Sequence, residues 1–134
     1  VTRYVEILAL QRPFPYDVDG LRRTLFSCNY TALAAAPVTS WADEVVRLIE
    51  LAGLGTYGSD IFIGPSLDAP AGDGPYVHVV DTGGIPPNET HNGDKYERLS
   101  VQIIVRAADA LAGETRAVAI WRALDGRRNL TVAA

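Results

Sequence analysis

The run from Tyr96 to Arg106 constrains this chain most. Leu99, Val101, Ile103 and Val105 take alternate positions, and Arg98, Ser100, Gln102 and Arg106 stand between and beside them. Successive side chains of a strand point to opposite sides, so this spacing predicts a strand with one apolar face for a core and one polar face for water or a neighbour. Such a strand needs paired strands beside it and a layer over its apolar face.

The same period recurs elsewhere. Tyr4 to Leu10, with Val5, Ile7 and Ala9 on one side, and Arg22 to Tyr30 read as two strands of a hairpin whose long loop is the turn-forming stretch Pro13-Phe14-Pro15-Tyr16-Asp17-Val18-Asp19-Gly20. Ile61 to Gly64 reads as a short strand and Pro65 to Pro75 as loop. Tyr76-Val77-His78-Val79-Val80 reads as a buried strand ending at Asp81-Thr82-Gly83-Gly84, with a polar loop to Lys95. Asn129 to Val132 reads as a short closing strand.

Two segments switch to helical spacing. Ser40 offers an N-cap with Asp43 and Glu44 in the first turn; Trp41, Val45, Leu48 and Ala52 then recur on one stripe until Gly53 and Gly55 stop the run. From Asp109 to Leu124 a second stripe places Ala117, Ile120, Trp121 and Leu124 together and stops at Gly126. The expectation is an α+β fold over residues 1–134 as one domain: a single small, mostly antiparallel or mixed β-sheet of about six strands with two α-helices packed on one face. The alanines Ala34, Ala35 and Ala36, flanked by Pro37, read as the loosest point of the chain.

Charge and composition exclude several functions. Twelve Lys and Arg against 16 Asp and Glu give a net charge of −4, the wrong sign for holding nucleic acid through its phosphates. Cys28 is the one cysteine, so no intramolecular disulfide forms, which suits a reducing cytoplasm; a buried small hydrophobe is its expected role. The longest apolar runs fall far short of the roughly 20 residues of a membrane helix, and no signal peptide is legible, so no membrane contact is expected.

The chemical motifs are weak. Asp81-Thr82-Gly83 after an apolar strand matches the triplet of dimeric, retroviral-type aspartic proteases, in which two close carboxylates share a proton and activate a water. Asp and Gly at a strand end are also ordinary turn chemistry, and two helical stretches occupy a chain that would otherwise need to be mostly β. His78 reads as a satisfied sheet histidine and His91 as a solvated loop residue; no close spacing of ligands suggests a metal site. Gly53-x-Gly55 and Gly83-Gly84 lack the strand-to-helix setting of a nucleotide loop. No enzyme and no cofactor are expected.

The ordered set Trp41-Ala42-Asp43, Ala52-Gly53-Leu54-Gly55, Ile61-Phe62-Ile63-Gly64-Pro65, Val80-Asp81-Thr82-Gly83-Gly84 with Pro86-Pro87, Tyr96-Glu97-Arg98 through Val105-Arg106, and Ala123-Leu124-Asp125-Gly126 resembles the tail terminator, or minor capsid, proteins of siphophages. The family's closing segments are matched by Arg3 to Gln11, Pro13-Phe14 and Phe26-Ser27-Cys28-Asn29-Tyr30, which here stand at the beginning. Family order is thus 38–134 followed by 1–37, and Val38-Thr39-Ser40-Trp41 would suit a natural start.

The resemblance implies a virion protein at the head–tail junction, assembled in the host cytoplasm. It implies a ring, usually of about six subunits, that caps the tail tube, stops its growth, meets the head-completion proteins and lets DNA pass without specific binding. Another head-completion or connector protein is the alternative within the same particle. The glycine-, proline- and polar-rich stretch Gly83 to Lys95, with Gly84, Pro86, Pro87, Asn88, Glu89, His91, Asn92 and Asp94, is expected to be a loop that contacts neighbours. If family order is the physical one, Asn129 to Val132 and Arg3 to Leu10 are arms of one hairpin.

Overall fold

The computed structural model describes residues 2–18, 23–35, 40–64, 72, 74–89 and 95–132. In chain order these form β1 (Thr2–Ala9), β2 (Phe14–Val18), β3 (Thr24–Ala34), α1 (Trp41–Leu51), β4 (Ile61–Ile63), β5 (Tyr76–Glu89), β6 (Lys95–Ala107), α2 (Ala110–Leu124) and β7 (Arg127–Val132). The fold is α+β, as the two periodicities require. One seven-stranded sheet has the order β4-β5-β6-β3-β1-β7, with β2 also on β3. Among the described strands β4 and β5 run parallel and the other pairs are antiparallel.

β6 is the centre of the sheet. It pairs along β3 from Thr24↔Ala107 to Ala34↔Glu97 and along β5 on its other side. Val101, Ile103 and Val105 are buried on its apolar face, in one cluster with Phe26, Cys28 and Tyr30 of β3, Val77 and Val79 of β5, and the inward residues of both helices. The helices therefore cover that face.

α1 forms where its caps satisfy the backbone. The Ser40 hydroxyl accepts from the Asp43 N–H at 3.3 Å. At the other end the Gly53 N–H reaches the Glu50 carbonyl and the Leu54 N–H reaches that of Ile49, with Gly53 at φ 74°. This is the reciprocal C-cap that a left-handed glycine permits. Trp41, Ala42, Val45, Val46, Leu48 and Ile49 are its buried stripe. In α2, capped by Asp109, the buried stripe is Gly113, Ala117, Ile120 and Leu124. Gly113 sits so close to the sheet that a Cβ would lie 3.0 Å from the Phe26 ring, so its missing side chain sets the helix-to-sheet distance. Trp121 is only half-buried, and the Arg12 guanidinium lies 5.8 Å from its ring.

Three readings of the sequence are corrected. Phe14 to Val18 is a strand and not part of a loop: β1 covers β3 from Tyr30 to Ala34, which leaves Thr24 to Ser27 to be paired by β2. Pro15 is tolerated there because β2 is at the sheet edge. Ala34 is no loose end but the fully buried last residue of β3. The strand expected to stop at Val80 continues as β5 to Glu89, so the expected loop is paired backbone over much of its described part. The irregular residues are absorbed by register shifts between Asp81 and Gly83 and between Ile85 and Asn88.

β1 and β7 pair antiparallel from Thr2↔Val132 to Ile7↔Arg127, so the two segments expected to be hairpin arms are neighbours. Val1, Ala133, Ala134, Pro37 and Val38, on which the expected order of segments turns, lie outside the described residues.

Candidate assembly interface

The residues expected to meet neighbours form an arm built on β5 and β6. Gly83 pairs with Ser100, Gly84 with Leu99, Asn88 with Tyr96 and Glu89 with Lys95; Pro86 and Pro87 lie in the second bulge, and His91, Asn92 and Asp94 lie outside the described residues. The two glycines are required by geometry. Gly83 has φ 93°, and a Cβ on Gly84 would collide with the Arg98 carbonyl, so only glycine permits this close approach. The exposed Asp81 carboxylate accepts the Gly83 N–H at 2.8 Å and holds the first bulge. Asp81 is thus a local backbone clasp within β5 and not the end of a strand.

The sheet ends in edges of different character. β4 pairs with β5 only from Val77 to Val79, so among the described residues no strand covers the outer side of β5 from Val80 to Glu89. Bulges and adjacent prolines make that edge a poor template for a further strand. β2 carries Pro15 and its own bulge. β7, at the opposite end, has neither proline nor bulge, and Arg127 and Arg128 are exposed on it. Beside β7, between the C-terminal ends of the helices, is an apolar pocket of about 210 Å³ lined by Leu48, Leu51, Ala52, Ala123, Leu124, Arg127 and Leu130. Leu51 at its rim is 71% exposed. Sequence reasoning missed this surface, because only folding brings the two helix ends beside β7.

On β1, the segment after it and β2, the large apolar residues Leu8, Leu10, Phe14, Tyr16 and Val18 are exposed. The Phe14 and Tyr16 rings meet edge to face at 6.5 Å. A concentration of exposed apolar side chains marks contact with another surface.

The face of the sheet without helices carries buried polar groups. His78 is 1% exposed, beside Phe62, whose ring centre lies 6.1 Å away, and among the described residues neither imidazole nitrogen has a hydrogen-bond partner. The expected satisfied histidine is therefore unsatisfied. Burial, with help from Arg106 and Arg23, lowers its pKa to about 4, which keeps it neutral. Arg106 is buried as well, so the polar face of β6 is not wholly open to water; its guanidinium lies 5.3 Å from the Tyr76 ring. Gln102 donates to Ser27 at 2.8 Å. Cys28 is buried as expected, and burial raises its thiol pKa. Among the described residues no three His, Cys, Asp or Glu side chains gather as a metal site would require, and no helix is long and apolar enough to cross a membrane.

The model of the family described as bacteriophage tail terminator protein matches residues 48–131, from within α1 through almost all of β7. The chain belongs to that tail terminator family. It is a structural protein of the phage tail, and the matched span holds the whole β5–β6 arm, the pocket and the β7 edge. The strands β1, β2 and β3 lie outside the span, although they complete the sheet of this family member. A search of curated proteins and a search of solved structures returned no match.

Proposed function

We propose that the protein closes the tail tube as a hexameric ring, stopping tube polymerisation on one face and presenting the other to head-completion proteins. Membership of the tail terminator family carries this reading. A ring needs two different patches on each subunit, joined by a rotation that closes, and the sheet offers two unlike edges. The protein acts by geometry and has no catalytic centre. Its net charge of −4 suits a lumen through which DNA slides without being held by counterion release.

Light scattering on the size-exclusion peak tests the ring. The expected mass is about six times the 14.4 kDa of one chain, and a monomer at every concentration overturns the reading. Added to growing tail-tube protein, the ring is expected to cap tubes at one end, visible by electron microscopy; tubes that lengthen undisturbed overturn the terminator role.

A further inference from the structure

We propose that the outward face of α2 pairs antiparallel with α2 of a second copy of this chain, about a two-fold axis at Val118. The buried stripe of α2 is Gly113, Ala117, Ile120 and Leu124. At about 3.6 residues per turn, Leu111, Thr115, Val118 and Arg122 fall on the opposite side. Their spacing of four, three and four residues is that of a seam along which helices pair. With Glu114 and Ala119 they line an open groove of about 430 Å³. Leu111, Glu114, Thr115 and Arg122 are exposed and Val118 and Ala119 half-buried, so no described part of the chain lies over this face.

The charges on this face select its occupant. Glu114 and Arg122 stand four residues before and four after Val118, and neither has an ion-pair partner among the described residues. Turning a second α2 end for end about Val118 brings Glu114 of each copy level with Arg122 of the other. A parallel alignment would set Glu114 against Glu114, which repels. Antiparallel pairing also lays the positive end of each helix dipole beside the negative end of the other. Val118 is one residue from the middle of Ala110–Leu124, so the two helices overlap along almost their whole length.

This contact differs in kind from that of a ring. Ring subunits meet head to tail, whereas a two-fold contact matches one patch with itself, so α2 joins a subunit to a copy outside its own ring. One pair of helices about 22 Å long falls short of the roughly 1,200 Å² that stable complexes bury. The pairing is therefore reversible and depends on concentration.

Cysteine cross-linking tests the axis, with or without a ring. Two-fold symmetry puts Val118 of one copy beside Val118 of the other, within disulfide reach. It puts the two Leu111 residues about 21 Å apart along the helices, far beyond that reach. Under copper–phenanthroline oxidation, Val118→Cys is expected to give a two-chain band on a non-reducing gel in about tenfold higher yield than Leu111→Cys. Chance collision would favour Leu111→Cys, because Leu111 is 71% exposed. The wild-type chain, with Cys28 buried, should stay single.

On the Val118→Cys chain, Glu114→Arg should lower the yield about tenfold by setting like charges together at two symmetric places. Adding Arg122→Glu to that chain restores opposite charges at both places and should restore the yield. A Val118→Cys chain that stays single, an equal yield from Leu111→Cys, or a charge reversal without rescue overturns the pairing. None of these results bears on the ring, which the mass of the wild-type protein tests separately.

Discussion

The Tyr4 ring lies 5.0 Å from the Trp41 ring, tilted by 48°, and the Tyr4 hydroxyl donates to the Glu44 carboxylate of α1. One contact thus ties β1 to the first turn of the helix. Both aromatic residues are almost fully buried. Trp41→Ala is expected to cost about 3–5 kcal/mol of stability through lost burial and an unfilled cavity. Tyr4→Phe keeps the ring packing and should cost only about 1.5–3 kcal/mol, the range for a hydrogen bond to a charged group. Urea unfolding of the two variants measures both; equal losses would mean that the hydroxyl contributes as much as the whole indole.

Gly84 tests the arm. A Cβ there would meet the Arg98 carbonyl, so β5 must move away from β6 to admit alanine. Gly84→Ala should cost about 2 kcal/mol or more, the scale of an incompatible backbone. Amide exchange should accelerate from Gly84 to Glu89 and from Lys95 to Leu99, while α1 and α2 keep their protection. Uniform acceleration across the whole sheet would contradict a local role.

His78 makes stability depend on pH. Its folded pKa of about 4 lies below the ordinary value of 6.5, so the unfolded chain binds the proton more readily. Its contribution is fully present above pH 6.5 and is lost as pH falls from about 6.5 towards 4. The full loss is on the order of 3 kcal/mol. His78→Phe removes two buried nitrogens that have no partner among the described residues and should flatten this part of the profile without lowering stability at pH 7. The check is the urea midpoint of each protein between pH 7 and pH 4; parallel curves would exclude His78 as the titrating group.

The register Thr2↔Val132 makes a permuted chain feasible. Joining Ala134 to Val1 and opening the chain between Pro37 and Val38 restores β7, turn, β1 as a hairpin with a connection of ordinary length. Such a permutant is expected to keep its spectrum and to lie within about 1 kcal/mol of the wild type, since a short loop adds little closure entropy. Failure of the permutant to fold would show that β1 and β7 do not tolerate a direct turn.

Features controlled by local chemistry are legible in the order of residues alone. Alternation in Tyr96 to Arg106 marked β6, and the stripe behind the Ser40 cap and the stripe from Asp109 to Leu124 marked the two helices, because side-chain direction and backbone capping are set within a few residues. The ordered motifs also sufficed to reach the family. The tertiary structure decided the rest. Phe14 to Val18 became strand only because the side of β3 away from β6 is left open by β1 from Thr24 to Ser27, and the Gly- and Pro-rich arm stayed in the ladder only because β6 was there to pair with it across two bulges. Local turn signals lost to backbone hydrogen bonds supplied from far along the chain. The arm residues were legible as a stretch of unusual composition, but the apolar pocket beside β7 was not. Leu51, Leu124 and Leu130 are distant in sequence, and the pocket beside β7 exists only where two helix ends and a sheet edge converge.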